Sequence, residues 1–162
     1  MPRIVITANK GLVQETGSAT MHGQRHTCTA VTADTVLTAD DSGKVFVFND
    51  AAATFTLPAA AGTGVHYKFI VGSETTGDKI VKVANATDVM EGIATILQDS
   101  GNTALHFESA AASDTITFNE STTGGQIGDF IDCIDYASGK WWVHVKGTGT
   151  DSEATPFSAT VS

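Results

Sequence analysis

Two histidines four residues apart, His22 and His26, have the spacing with which one face of a helix grips zinc. In the hydrolytic form of that motif a glutamate follows the first histidine and works as general base. Here Gly23 stands in that place, and glycine also disfavours the helix. The pair reads as two polar histidines in an arm. Gly43-Lys44 and Gly139-Lys140 have the last two residues of a phosphate-cradling loop, which needs an earlier glycine and a following Ser or Thr. Thr38 and Val45 occupy those places in the first, Ile134 and Trp141 in the second, so neither qualifies. The stretch Asp99 to Glu108 offers oxygen ligands for calcium but lacks alternating acids, and Ala104 takes the position of the central glycine. A nucleophile elbow of the Gly-x-Ser-x-Gly type is absent from the sequence. The adjacent acids Asp40 and Asp41 read as the cap of a turn.

The other titratable candidates are equally plain. His66, His106 and His144 each stand beside apolar neighbours in strand-like runs and read as outward-facing polar residues. Asn85-Ala86-Thr87 and Asn119-Glu120-Ser121 match the glycosylation pattern, but the start Met1-Pro2-Arg3-Ile4-Val5-Ile6-Thr7 lacks the long apolar region of a secretory signal, so both read as chance matches. The expectation is a protein that is not an enzyme and carries no catalytic residue, metal or cofactor.

Any such residues must be positioned by a chain of 162 residues, enough for one domain that buries roughly 70% of its unfolded surface. The apolar fraction is 41% and the charged fraction 17%, both low, with Thr, Ser, Ala and Gly filling the gap. Thr suits a half-exposed pleated surface, and the 16 glycines predict many turns. A net charge of −9 repels phosphate backbones and anionic lipid, so neither nucleic acid nor membrane is an expected partner. It also keeps copies dispersed before assembly. Cys28 and Cys133 read as buried thiols of a protein made in cytoplasm, a single bridge between them being left open. No apolar run approaches the ~20 residues of a membrane helix.

Strand patterns recur along the chain. Val45-Phe46-Val47-Phe48 is a short apolar run expected to be buried on both faces. Phe55 and Leu57 alternate with threonines, Tyr67, Phe69 and Val71 with His66 and Lys68. Ile80 to Val83, Leu105 with Phe107 and Ile116 with Phe118 repeat the signal. The clearest hairpin runs from Phe130 to Tyr136, turns at Ala137-Ser138-Gly139-Lys140 and returns from Trp141 to Val145. The best helix candidate, Asp88 to Gln98, is weakened by Gly92 and by the β-branched Ile93, Thr95 and Ile96. Many short strands with glycine-rich turns predict an all-β sandwich, jelly-roll-like, over residues 27–146. Residues 1–26 read as an extended N-terminal arm with little strand pattern after Thr7. Residues 147–162 read as a C-terminal tail, because Gly147-Thr148-Gly149-Thr150-Asp151-Ser152 has a linker's composition.

Two segments have the chemistry of contact surfaces. Ile4, Val5 and Ile6 form a strand-like start suited to adding onto another chain's sheet edge, or to serving as the module's own first strand. Trp141 and Trp142 are adjacent in one strand and must point to opposite faces. Trp141 shares its face with Val143 and Val145 and reads as core, while Trp142 shares its face with His144 and Lys146 and reads as surface or interface.

The order of these pieces carries a resemblance. Val31 to Phe46 (VTADTVLTADDSGKVF) is followed by Phe55-Thr56-Leu57-Pro58, Gly62 and Tyr67-Lys68-Phe69-Ile70-Val71. Then come Thr115-Ile116-Thr117-Phe118, Gly128-Asp129-Phe130-Ile131 and Gly139-Lys140-Trp141-Trp142-Val143. From Val31 to Val145 the chain resembles a β-sandwich module of tailed-phage virion proteins, found in small capsid decoration (cement) proteins and in tail-fibre segments. The resemblance implies a structural role without catalysis, a homotrimer, the major capsid protein as partner, synthesis in the host cytoplasm and residence on the capsid surface of the virion. The short free-standing chain favours decoration of the head over the alternative, a tail-fibre or receptor- and glycan-binding module. The longer arm before the module and the short tail after it depart from the pattern. The expected interface residues are Ile4, Val5, Ile6, Trp142 and His144.

Overall fold

Phe46, Phe48, Phe55 and Phe69 come from three separate strands and meet at one place, with Phe55 4.8 Å from Phe69, 5.0 Å from Phe48 and 5.2 Å from Phe46 between ring centroids. The computed structural model that shows this describes residues 4–7, 11–14, 26–49, 52–73, 77–101, 103–150 and 152–161. Its strands are β1 (Ile4–Thr7), β2 (Gly11–Gln14), β3 (Cys28–Val31), β4 (Thr35–Val36), β5 (Val45–Phe48), β6 (Ala53–Thr56) and β7 (His66–Val71). They continue as β8 (Lys79–Lys82), β9 (Val89–Gln98), β10 (Ala104–Glu108), β11 (Thr115–Phe118), β12 (Phe130–Ala137), β13 (Lys140–Gly149) and β14 (Phe157–Ser158). A wide sheet of seven strands runs in the order β10-β9-β13-β12-β7-β5-β3, and a narrow sheet of five in the order β14-β11-β8-β6-β4. Phe55 belongs to the narrow sheet and the other three rings to the wide one, so the cluster is the seam between two packed layers. The chain is an all-β sandwich, as the strand spacing predicts.

Its connections are wound. From β3 to β8 successive strands alternate between the two sheets, and β3, β5 and β7 pair in parallel, as do β4, β6 and β8. Residues 28–82 thus form a flattened coil rather than a series of hairpins. Antiparallel pairing takes over in the second half, with β12 between β7 and β13, while β13 pairs in parallel with β9. Apolar period two fixes which face of each strand is inside. Leu57, Val81, Ile116 and Phe118 fill one layer, and Tyr67, Met90, Ile131, Trp141, Val143 and Val145 the other.

Several sequence expectations are corrected. The helix candidate is strand β9, and Gly92 shows why: a Cβ there would stand 1.8 Å from the carbonyl oxygen of Val143 on the neighbouring strand, so the glycine admits that strand. Val45 and Val47 are half-buried, not buried, because only Phe46 and Phe48 face the seam. The described residues of the expected C-terminal tail, 147–150 and 152–161, are built into the sandwich. Strand β13 continues to Gly149, and β14 pairs Ser158 with Thr115 and Phe157 with Ile116 on β11. Gly147 is buried, and a Cβ on it would lie 2.9 Å from Cα of Gly124, so close packing rather than flexibility explains the glycine. The arm contains strand pairing after all: β1 and β2 form an antiparallel hairpin with Ile4 opposite Gln14 and Thr7 opposite Gly11. Cys133 is buried, and burial pushes its thiol up, but Cys28 is exposed, and both are free.

Buried aspartates hold the turns. Asp135 accepts hydrogen bonds from the N–H groups of Ala61, Gly62 and Thr63 and from the Thr63 hydroxyl, at 2.7–3.2 Å. Burial pulls its carboxyl up, but the donors of Thr63, Gly62 and Ala61 together outweigh this and hold it below the usual range. Asp129 gathers the N–H groups of Gly125, Gln126 and Thr148 on one oxygen, at 2.8–3.0 Å. There burial dominates and its carboxyl is pushed up. Asp114 takes the N–H groups of Thr160 and Val161 and so ties the last described residues to the sandwich.

Candidate interaction face

Period two sends one set of side chains from the wide sheet into the core and the other onto its outer face. On β13 the outward set is Lys140, Trp142, His144 and Lys146; on β12 it is Phe130, Asp132, Ile134 and Tyr136. Register aligns them into rows. His66, Ile134, Trp142 and Glu91 lie side by side across β7, β12, β13 and β9. Lys68, Asp132, His144 and Ile93 form the next row, and Ile70, Phe130, Lys146 and Thr95 the one beyond. The apolar members are well exposed: Ile93 50%, Tyr136 46%, Trp142 41% and Ile134 38%.

The polar members are paired within the face. Lys68 meets Asp132 at 3.1 Å and places its Nζ 4.6 Å from the centre of the Phe130 ring. The His144 ring stands edge-on to Phe130 at 5.7 Å and lies 6.2 Å from Trp142. Glu91 accepts from Lys140 at 2.5 Å and from the Tyr136 hydroxyl. The hydrogen bond from Lys140, and then that from Tyr136, holds the Glu91 carboxyl below its ordinary range, while Glu91 raises both partners. On the described strands the face carries Lys68, Lys140 and Lys146 against Glu91, Asp132 and Glu108. These charges balance on a chain of net charge −9, so the acidic excess lies elsewhere.

Of the residues expected at an interface, Trp142 and His144 come together here, and Trp141 is fully buried behind them against Tyr67. Ile4, Val5 and Ile6 do not join them through either sheet. Their backbones pair with Gln14, Val13 and Leu12. Sequence reasoning missed Phe130, Ile134, Tyr136 and Ile93. The alternation Phe130, Asp132, Ile134, Tyr136 was a usable signal, but the other face of that strand, Ile131, Cys133 and Asp135, looks much the same.

The earlier motifs resolve into turn chemistry. Asp41 accepts from both the N–H and the hydroxyl of Thr38 at 2.9 Å and pairs with Lys44 at 2.6 Å, capping the single turn of 3-10 helix Ala39–Asp41 as expected. Asn85 and Asn119 each fold a turn through their own side-chain oxygen, which accepts from Thr87 and Asp88 in one case and from Ser121, Thr122 and Thr123 in the other. This accounts for the Asn-x-Ser/Thr spacing without a sugar. His26 bonds the carbonyl of Gly43 through Nδ1 at 2.8 Å, and His22 lies outside the described residues. No group of three or more His, Cys, Asp or Glu positioned for a metal occurs among the described residues. No described helix is long and apolar enough to cross a membrane. Comparison of the chain with family models, with curated proteins and with solved structures found no match.

Proposed function

We propose that this chain is a structural module of a tailed-phage virion, of the capsid decoration kind, and that the outer face of its wide sheet is the surface by which it binds protein. The observation that carries the reading is the outward aromatic and aliphatic set of Trp142, Tyr136, Ile134 and Ile93 on one sheet. A large aromatic left in water forgoes about 2–3 kcal/mol of burial, and aromatics concentrate at the centres of protein contacts. Charges that cancel within the face let a strongly acidic molecule approach a partner there without net repulsion. The virion assignment comes from the resemblance over Val31 to Val145, and with it the homotrimer and the major capsid protein as partner.

The alternative is a glycan- or receptor-reading module on a tail fibre. A sugar platform needs free carboxylates or amides around its aromatic ring. Glu91, beside Trp142, is already engaged by Lys140 and Tyr136, which favours an apolar protein contact. Copy number decides between the two. Quantitative mass spectrometry of purified particles should find the protein on the scale of the capsid subunits. A handful of copies per particle would place it in the tail and sink the decoration reading. Sedimentation of the isolated protein tests the trimer, which a chain monomeric at high concentration and in the particle would refute.

A further inference from the structure

Strand β10 closes one side of the wide sheet, and its far edge is open. Ser109 N–H donates to the carbonyl of Gly92, and Gln98 N–H to that of Thr103, which fixes the phase of the pairing with β9. Hydrogen-bonded and non-hydrogen-bonded positions alternate in an antiparallel pair. Thr103, Leu105, Phe107 and Ser109 therefore direct their N–H and C=O groups at β9, while Ala104, His106 and Glu108 direct theirs away from it. Among the described residues no backbone group pairs with those three. At five residues β10 is the longest edge strand of the two packed sheets, against four in β3 and two each in β4 and β14. Edges are commonly blunted by lysine, proline or a bulge. Strand β10 has none of these: its sequence is Ala-Leu-His-Phe-Glu and its register with β9 is unbroken. Leu105, opposite the fully buried Ile96, is itself 40% exposed.

The strand is its own complement. A two-fold axis through His106 sets β10 antiparallel to β10 of a second copy, with His106 opposite His106 and Ala104 opposite Glu108. All the outward N–H and C=O groups of both strands then pair. In the non-hydrogen-bonded positions, where side chains approach most closely, the exposed Leu105 lies opposite Phe107 of the other copy, twice over by symmetry. Glu108, the strand's one acid, faces Ala104, and the two copies of Glu108 stand roughly 14 Å apart, beyond the ~8 Å over which salt leaves charges in touch. Slipping the register by two residues is worse. Centred on Phe107, it sets Ala104 against Ala110, whose N–H and C=O are already engaged by Ser113. Centred on Leu105, it sets Glu108 beyond the end of the other strand. We propose that β10 is a self-association edge, by which two copies of this chain join their wide sheets into one. The two outer faces then lie on the same side of the joined sheet. The inference goes beyond the proposed contact face, uses the edge once per copy, and stands whether or not the virion reading holds.

Cross-linking of the full chain tests it. Cys28 is exposed and is first replaced, Cys28→Ser, while Cys133 is buried and stays. In that background His106→Cys places two thiol-bearing residues opposite each other, with Cα atoms about 5.5 Å apart, within the span of a disulfide. Mild oxidation should give covalent pairs of chains on a denaturing gel. Glu108→Cys, two residues along the same edge, should give few, because its two copies are held apart. A charge pair at one exposed position tests the register by a second route. Ala104→Lys meets Glu108 of the other copy and should tighten the pair, and Ala104→Glu meets it with like charge and should loosen it, each by about 2- to 30-fold in dissociation constant. Sedimentation across a dilution series reads this. No excess of cross-linking at position 106 over position 108, or shifts of the same sign from Ala104→Lys and Ala104→Glu, would overturn the proposal.

Discussion

Trp141 and Trp142 are consecutive in β13 and lie on opposite sides of the wide sheet, the first sealed against Tyr67 with ring centroids 5.8 Å apart, the second 41% exposed next to His144. One peptide unit thus joins the core to the proposed contact face, and the two substitutions must have different consequences. Trp141→Ala should cost about 3–5 kcal/mol of stability, read as a large drop in the denaturation midpoint. Trp142→Ala should leave the midpoint within about 0.5 kcal/mol and weaken binding to heads. Equal loss of stability in both, with assembly intact in the Trp142 variant, would remove the face from consideration.

Asp135 and Asp129 should respond unequally to amidation. Both oxygens of Asp135 accept from N–H groups, so Asp135→Asn must turn a donor toward a donor and should cost about 2 kcal/mol. Asp129 uses one oxygen for three N–H groups and the other for the Thr148 hydroxyl, which can also accept. Asp129→Asn should therefore stay within about 1 kcal/mol of the parent. Chemical denaturation of the two variants is the measurement.

The same pair predicts a pH signature. The Asp135 carboxyl is lowered on folding, so its contribution is complete above the unfolded value near ~3.9 and is lost as pH falls through the folded value. The Asp129 carboxyl is raised, so protonating it relieves the fold, and stability gains as pH falls through its folded value until ~3.9 is reached. Denaturation midpoints followed downward in pH should show Asp129→Asn lacking the gain that the parent has. Identical profiles for parent and variant would contradict the burial assigned to Asp129.

Gly92→Ala should be among the most damaging single-methyl changes in the chain. The added carbon must displace the Val143 carbonyl, a backbone group that cannot swing aside, and should cost about 3 kcal/mol. Thermal unfolding would check it, and a variant as stable as the parent would mean that β9 and β13 are not packed as described.

Removal of residues before Thr27 should leave the sandwich folded, since among the described residues its sheets begin with β3. Strand-like circular dichroism should persist and binding to heads should be lost. A truncated chain that fails to fold would instead make the arm part of the core.

How far the sequence could be read follows from the range of the forces involved. Phe55 and Leu57 against Thr54 and Thr56, Trp141 against Trp142 and the turn at Ser138-Gly139 are local signals, and these were enough to predict a sandwich. The aspartate clamps were invisible because Asp135 and Thr63 are 72 residues apart. Nothing in the spelling of either segment names the other. Gly147 and Gly149 misled for a related reason: a glycine that frees a linker and one that lets two backbones touch are the same letter. The winding of β3 to β8 was hidden too, because parallel neighbours in a coil carry the same period-two signal as antiparallel neighbours in a hairpin.

The central place of β13 bears on timing. Among the described residues, strands β9 and β10 attach to the rest of the wide sheet only through β13, which lies between β9 and β12 and follows them all in sequence. During synthesis the earlier strands can coil and pack, but Trp142 and its neighbouring rows do not exist as a surface until residues 140–149 have slotted in. A chain stopped before residue 140 lacks that face. Synthesis of residues 140–149 therefore gates any contact made through that surface, and products that stop before them cannot make it.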